Sequence, residues 1–403
     1  MKVTIKKSIP QGVVTAPPSK SMAHRLLICA GLCRGRSVVH GIAPSEDVLA
    51  TLDCLGALGA VYVYEGDSVT IDGIGAPERA REPLRCRESG STLRFFLPLC
   101  MLGEQEKHLY GSERLLSRPL DVYREICSEQ GISFECDGER VCVCGKLSAG
   151  EYSVRGNVSS QFITGLLFAL PLLDGDSRIN IIPPIESLSY INLTIEALRL
   201  FGVEADFDGE SSILVRGGQS YQPREVTVEG DYSNAAFFSA LRALGFDVSV
   251  EGLREDSLQG DRVYARHFEQ LERGTAHIDI SDCPDLAPIL FAFAAARHGG
   301  VFDGTRRLAI KESDRGAAMA EELSKMGAHL EIEEDRITVR KGVLHSPSEV
   351  LCSHNDHRIV MSLSVLLTLV GGRIDGAEAV SKSMPDFFDR MQELGVSVEY
   401  ETV

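Results

Sequence analysis

The sequence predicts an α/β fold of two domains, each built from three copies of one helix–strand unit. Three observations predict it. A polar helix start, an apolar helix and a strand recur six times at a period of about 70 residues, too long for the common solenoids. Several of the apolar helices are apolar nearly all round, which places them inside. A length of 403 residues suffices for two large cores.

The polar starts fall at Ser21, Ser91, Ser160, Ser233, Asp285 and Asp356, and the apolar bodies at 26–30, 95–102, 162–173, 235–244, 286–296 and 359–370. Serine and aspartate suit helix starts because their side-chain oxygens accept from backbone N–H groups left over there. Between these helices runs a second signature, an amphipathic helix closed by glycine and followed by a strand. It occurs at 55–61, 198–203, 323–328 and 391–396, with 126–132 a fifth copy. Glycine ends such helices by adopting the left-handed conformation. A sixth copy, near 268–280, is weaker and its repeat is shorter.

The chain is acidic, with net charge −17. Nucleic-acid binding favours a broad basic face, so no nucleic-acid partner is expected. Residues 1–6 alternate as a strand and show no signal-peptide core. The longest apolar runs, such as 359–370, fall short of the roughly 20 residues that span a bilayer. A cytoplasmic protein without membrane contact is the expectation. Its 11 scattered cysteines are then reduced and mostly buried.

Against this acidic background, cations gather at helix starts. Pro17-Pro18-Ser19-Lys20-Ser21-Met22-Ala23-His24-Arg25 places Lys20 and Arg25 beside backbone N–H groups at the positive end of a helix, a ready anion site. Arg87-Glu88-Ser89-Gly90-Ser91-Thr92-Leu93-Arg94 sets a glycine where a ligand can approach the backbone. Ser159-Ser160-Gln161 offers two hydroxyls and an amide, and Arg118 precedes a proline. Lys311-Glu312-Ser313-Asp314-Arg315 spaces two cations one helical turn apart with carboxylates between. Asp356-His357-Arg358 opens the last apolar helix, and Lys382 precedes another. Each segment alone reads equally well as a helix cap or a solvated charged face. Cys352, His354 and His357 lack a full tetrahedral set, so no metal is expected. No Walker, dinucleotide or nucleophile-elbow motif occurs.

Taken in order, PPSKSMAHR, ESGSTLR, SRP, SSQF, Pro284-Asp285, KESDR, NDHR and KSMPDFF resemble the enolpyruvyl transferase family, and within it the branch that uses shikimate 3-phosphate. The resemblance spans essentially the whole chain, and its specificity lies in eight motifs in register. It implies two inside-out α/β barrels with the helices inside, in a pseudo-sixfold repeat. One domain is 20–229, on the shikimate 3-phosphate side; the other joins 1–19 to 230–403. It implies transfer of the enolpyruvyl group of phosphoenolpyruvate to the 5-hydroxyl of shikimate 3-phosphate, with release of phosphate, in aromatic amino acid biosynthesis.

By the same resemblance, Lys20, Gly90, Arg118, Gln161, Arg315, Arg358 and Lys382 hold phosphoenolpyruvate. Lys20, Ser21, Arg25, Ser159, Ser160, Gln161, Ser187, Tyr190, Asp285 and Lys311 hold shikimate 3-phosphate. Asp285 is the base for the hydroxyl; Glu312, expected to be the more desolvated carboxyl, is the acid, with Lys20 assisting. The partners implied are two small molecules, with no cofactor, and a monomer is expected. Three positions depart from the family pattern: Glu88 stands for a common asparagine, Arg307 for an asparagine on the shikimate side, and Ala309 for an arginine.

Three other readings stay in view. The UDP-N-acetylglucosamine branch places a reactive cysteine five residues before the SRP arginine, where this chain has Glu113. An RNA 3′-phosphate cyclase built from similar repeats conflicts with the acidic charge. A binding-only homologue conflicts with the joint presence of Lys20, Asp285, Glu312 and Arg315.

Overall fold

The computed structural model describes residues 1–78 and 80–401. The chain forms two compact units, Lys20–Glu229 and Met1–Ser19 with Gly230–Val403.

The Lys20–Glu229 unit carries three four-stranded sheets with one shared plan. In the first, Glu225–Thr227 runs parallel to Arg34–His40, which pairs antiparallel with Ser68–Ile74, itself antiparallel to Val61–Glu65. The second repeats this with Leu84–Arg85, Lys107–Tyr110, Arg140–Cys144 and Ser133–Cys136. The third does so with Glu151–Arg155, Ser177–Ile182, Ser212–Val215 and Ala205–Phe207. Alternation sets which face is buried: in Arg140–Cys144, Val141 and Val143 are buried while Cys142 and Cys144 lie half-exposed.

The helices Lys20–Gly31, Gly90–Cys100 and Ser160–Ala169 are buried almost all round. Two of them approach closely at Gly165, where a Cβ would lie 2.3 Å from the Tyr123 hydroxyl and 2.4 Å from the Arg94 carbonyl. Only glycine permits that approach. The Tyr123 hydroxyl donates across the same contact to the Arg94 and Phe162 carbonyls.

In the other unit, Ala276–Asp279, Gly300–Asp303, Arg336–Arg340 and His329–Ile332 follow the plan, as do Leu351–Cys352, Gly372–Asp375, Lys2–Ile5 and Val398–Glu401. The remaining sheet has two strands, Asp247–Glu251 parallel to Gln11–Thr15. This is where the sequence repeat is weak and short. The strand near 276 read as its end belongs instead to the next sheet, parallel to Gly300–Asp303. The apolar helices Tyr232–Ala243, Ala287–Ala296 and His357–Val370 form the core, with Ala287–Ala296 buried at every residue but its last. The glycines closing the amphipathic helices, Gly59, Gly131, Gly202, Gly327 and Gly395, all take positive φ.

Candidate active site

Two groups of charged side chains lie at helix starts, one in each unit. In Lys20–Glu229, Lys20 and Arg25 stand one turn apart on the first helix. Lys20 Nζ meets Asp47 Oδ2 at 2.8 Å, in the first turn of Glu46–Leu58. Arg25 is buried, and donates to Thr194 Oγ1 at 2.9 Å, the Ser21 carbonyl at 2.7 Å and the Tyr190 carbonyl at 3.0 Å. Its guanidinium also lies over the Phe95 and Tyr190 rings. Burial lowers Arg25 to about 10, so it stays charged at neutral pH. His24 between them is driven well below its usual range by burial and by the Lys20 and Arg25 charges, and is neutral.

The next two helix starts are tied together. Ser89 caps Gly90–Cys100 through Thr92 N, and Ser159 caps Ser160–Ala169 through Gln161 N. Arg94 Nη1 donates to Gln161 Oε1 at 2.7 Å, and Gln161 Nε2 donates to Ser91 Oγ at 3.0 Å. Gly90 lies directly against Arg118: a Cβ there would sit 2.6 Å from its Nη1. Ser187, buried and at φ 56°, begins Leu188–Leu200 one residue turn before Tyr190. Glu88 follows Arg87, which takes φ 52° and pairs with Glu46 and with Asp53 at 2.7 Å.

In the other unit the charges converge on Asp285. Its Oδ1 accepts from Arg315 Nη1 at 2.8 Å and Lys311 Nζ at 3.3 Å, and its Oδ2 from Arg358 Nη2 at 3.0 Å. Arg315, 1% exposed, bridges three carboxylates: besides Asp285, its Nη2 meets Glu312 Oε2 at 2.7 Å and its Nε meets Asp356 Oδ2 at 2.9 Å. Asp356 also caps His357–Val370 through Arg358 N. Arg358 Nη1 donates to Ser233 Oγ at 2.6 Å, and Lys382 Nζ to the Asn355 carbonyl at 2.6 Å. Arg307, one of the departures, donates to the Ser281 carbonyl.

Burial alone would raise Asp285, but the Arg358, Lys311 and Arg315 charges outweigh it and hold its carboxyl well below the usual range. Asp356 is treated likewise, with Arg315 its main counter-charge. Lys311 falls to about 8, because desolvation and the Arg315 charge outweigh the pull of Asp285. Glu312 is not the more desolvated carboxyl: its side chain and that of Asp285 are both 20% exposed. Arg315, Lys311 and Arg358 meet Asp285, and Arg315 also meets Glu312, whose charge acts on Lys311 as well.

Within its own unit, then, the structure gathers Asp285, Lys311, Glu312, Arg315 and Arg358, and in the other it joins Ser21, Arg25 and Tyr190, Gly90 and Arg118, and Gln161 with Arg94. Lys382 joins the first group through the carbonyl of Asn355, the neighbour of Asp356. Sequence reading missed Asp47 and Thr194, which pair with cations far away along the chain, and left Ser233 and Asp356 as helix starts. Elsewhere, Glu106, His108 and Cys142 bring their donor atoms within 4.8 Å of one another. Among the described residues no helix is long and apolar enough to cross a membrane.

Solved structures that share this fold include an enolpyruvyl transferase and an EPSP synthase. One from Streptomyces tendae superposes with a TM-score of 0.80 over 100% of this chain and 99% of that one, at 15% identity. An EPSP synthase from Acinetobacter baumannii gives 0.79 over 100% of both chains at 23% identity. The sequence model of EPSP synthase (3-phosphoshikimate 1-carboxyvinyltransferase) matches residues 5–391, and the chain belongs to that family. Among its relatives, the 3-phosphoshikimate 1-carboxyvinyltransferase of Clostridium beijerinckii is 41% identical over 95% of both chains, and that of Clostridium kluyveri 38% over 98% of both.

Proposed function

We propose that the chain transfers the enolpyruvyl group of phosphoenolpyruvate to the 5-hydroxyl of shikimate 3-phosphate and releases phosphate, a step of aromatic amino acid biosynthesis. Family membership supports the reaction; the convergence of Lys311, Arg315 and Arg358 on Asp285 carries the assignment of residues. The substrates are phosphoenolpyruvate and shikimate 3-phosphate, both multiply anionic, which gives an acidic protein a reason to concentrate cations at helix starts.

Lys20–Glu229 is the shikimate 3-phosphate-side domain in this reading. Ser21, Arg25, Ser159, Ser160, Gln161, Ser187 and Tyr190 there bind shikimate 3-phosphate together with Lys20, Lys311 and Asp285. Phosphoenolpyruvate is held by Lys20, Gly90, Arg118, Gln161, Arg315, Arg358 and Lys382. Asp285 accepts the hydroxyl proton as oxygen attacks C2 of phosphoenolpyruvate, and Glu312, with Lys20, delivers a proton to the methylene carbon. Loss of a proton from C3 and departure of phosphate then restore the enol ether. In the free protein the three cations keep Asp285 ionised but weakly basic. Bound phosphates share those cations, which raises its basicity when the proton must be received. The fixed guanidinium groups stabilise the tetrahedral intermediate without reorganisation.

The finer fold belongs to the same proposal: each unit is an inside-out barrel, supported by buried helices and one repeated sheet plan. A cytoplasmic monomer completes it. The test is phosphate release from phosphoenolpyruvate with shikimate 3-phosphate or UDP-N-acetylglucosamine as acceptor. Release with shikimate 3-phosphate alone is expected, falling by about 10² or more in Asp285→Asn and Glu312→Gln. Release only with the nucleotide sugar, or from neither, would sink the assignment.

A further inference from the structure

Glu322 is a buried carboxylate that the proposed chemistry does not use. It is 0% exposed, on the helix Arg315–Ser324. Four hydrogen bonds converge on it. Lys325 Nζ donates at 2.9 and 3.0 Å, Cys352 N donates to Oε2 at 2.9 Å, and His354 Nε2 donates to Oε1 at 2.8 Å. Glu321, Glu322 and His354 also place donor atoms within 4.8 Å of one another. Lys325 Nζ, 3.2 Å from Glu321 Oε1, supplies the positive charge there, so the cluster reads as a clamp and not as a metal site.

What the clamp holds is an unusual turn. His354 and Asn355 take φ 49° and 53° in succession. Residues other than glycine persist in the left-handed region only where their surroundings over-determine them. Glu322 fixes the turn from one side, through the Cys352 amide and the His354 ring. Ser353 fixes it from the other, accepting from Asn355 N on its hydroxyl and from Asp356 N on its carbonyl. The turn has two outputs. Its Asn355 carbonyl receives Lys382 Nζ at 2.6 Å, and its next residue, Asp356, binds Arg315 Nε at 2.9 Å and Arg358 N at 2.9 Å. Both cationic groups, Lys382 and Arg315, were assigned above to phosphoenolpyruvate, and Arg358 meets Asp356 here through its backbone N–H.

We propose that Glu322 is a positioning residue for the phosphoenolpyruvate-binding cations: by clamping the 352–355 turn through His354 and the Cys352 amide, it sets where Lys382 and Arg315 present their charges. The inference rests on the functional reading given above. It separates Glu322 from a residue that merely stabilises the fold, because the turn touches two phosphoenolpyruvate ligands directly, Lys382 and Arg315, and reaches Asp285 only at one remove, through Arg315.

The experiment is steady-state kinetics of Glu322→Ala, Glu322→Gln and His354→Ala, with phosphoenolpyruvate and shikimate 3-phosphate varied separately and melting temperatures measured alongside. Glu322→Ala should raise KM for phosphoenolpyruvate roughly tenfold or more, since small displacements of binding groups carry large penalties, and move KM for shikimate 3-phosphate by less than about twofold. Glu322→Gln keeps an acceptor for the Cys352 amide and should recover part of the loss. His354→Ala should shift KM for phosphoenolpyruvate in the same direction by less. A lowered melting temperature with both KM values unchanged, or equal rises in both, overturns the proposal. Should Glu322→Ala fail to fold, His354→Ala decides: a selective rise supports the clamp and an unchanged KM overturns it. Absence of turnover by the unaltered protein in the same assay overturns the functional reading and the clamp with it.

Discussion

Arg315 and Asp285 meet at 2.8 Å through Nη1 and Oδ1, and the same guanidinium spans Glu312 and Asp356 with its other nitrogens. One rigid planar fork thus fixes the spacing of three carboxylates, where the rotatable donors of an ammonium would hold them less firmly.

Replacement of Arg315 tests that geometry. Arg315→Ala leaves buried Asp356 without its main counter-charge and should lower stability by roughly 3–5 kcal/mol. Arg315→Lys should keep more of the stability and still lose about 10² in kcat/KM, because it cannot fork. Urea melts and kinetics on both variants check this; a fully active lysine variant contradicts it.

Gly90→Ala places a methyl group 2.6 Å from Arg118 Nη1, so the guanidinium must move. KM for phosphoenolpyruvate should rise several-fold, while KM for shikimate 3-phosphate stays within about twofold. Arg118→Lys, with a slimmer head group, should soften the effect of the alanine. A Gly90→Ala protein with both constants unaltered would show that Arg118 does not bind phosphoenolpyruvate from this position.

Lys311 titrates near 8 in the free protein because burial disfavours its charge. Its binding charge is present below that pH and lost above it. The kcat/KM for shikimate 3-phosphate, which reports the free enzyme, should therefore fall as pH rises through about 8. Lys311→Arg should move that limb to higher pH. The stability effect runs the opposite way. Between about 8 and 10.5 the unfolded chain holds a proton on Lys311 that the folded chain has released, so this group's contribution to stability increases with pH across the window.

Asp261 is pushed up to about 7, first by burial and then by the Asp285 charge, with Arg358 and Ser233 acting against the shift. Between about 4 and 7 the folded state holds a proton that the unfolded state has lost, so this group makes stability fall as pH rises. Asp261→Asn removes that contribution. The denaturant midpoint at pH 8, taken relative to that at pH 5, should be higher in the variant than in the parent; an unaltered difference refutes the assignment.

The repeat was legible in the sequence because it is written locally. Apolar helix bodies, capping Ser and Asp, and closing glycines such as Gly59 and Gly327 each declare themselves within a few residues. The sixth sheet was obscure for the same reason: its second strand, Gln11–Thr15, comes from more than 200 residues away. At the candidate site, cations at helix starts could be read, but not their partners. Lys20 finds Asp47, Arg25 finds Thr194 and Arg358 finds Ser233 across separations of 27, 169 and 125 residues. No periodicity reports such pairings. The relative burial of Asp285 and Glu312 was likewise beyond reach, because exposure is decided by packing against elements elsewhere in the chain.

The strand Lys2–Ile5 lies between Gly372–Asp375 and Val398–Glu401. On the ribosome, Lys20–Glu229 can close upon itself as soon as it emerges. The first strand must wait for the last, a delay on the order of twenty to eighty seconds at ordinary elongation rates. During that interval its edges are open to any other strand, so the unit that carries Asp285 is the one whose assembly is exposed to chaperones and to mispairing.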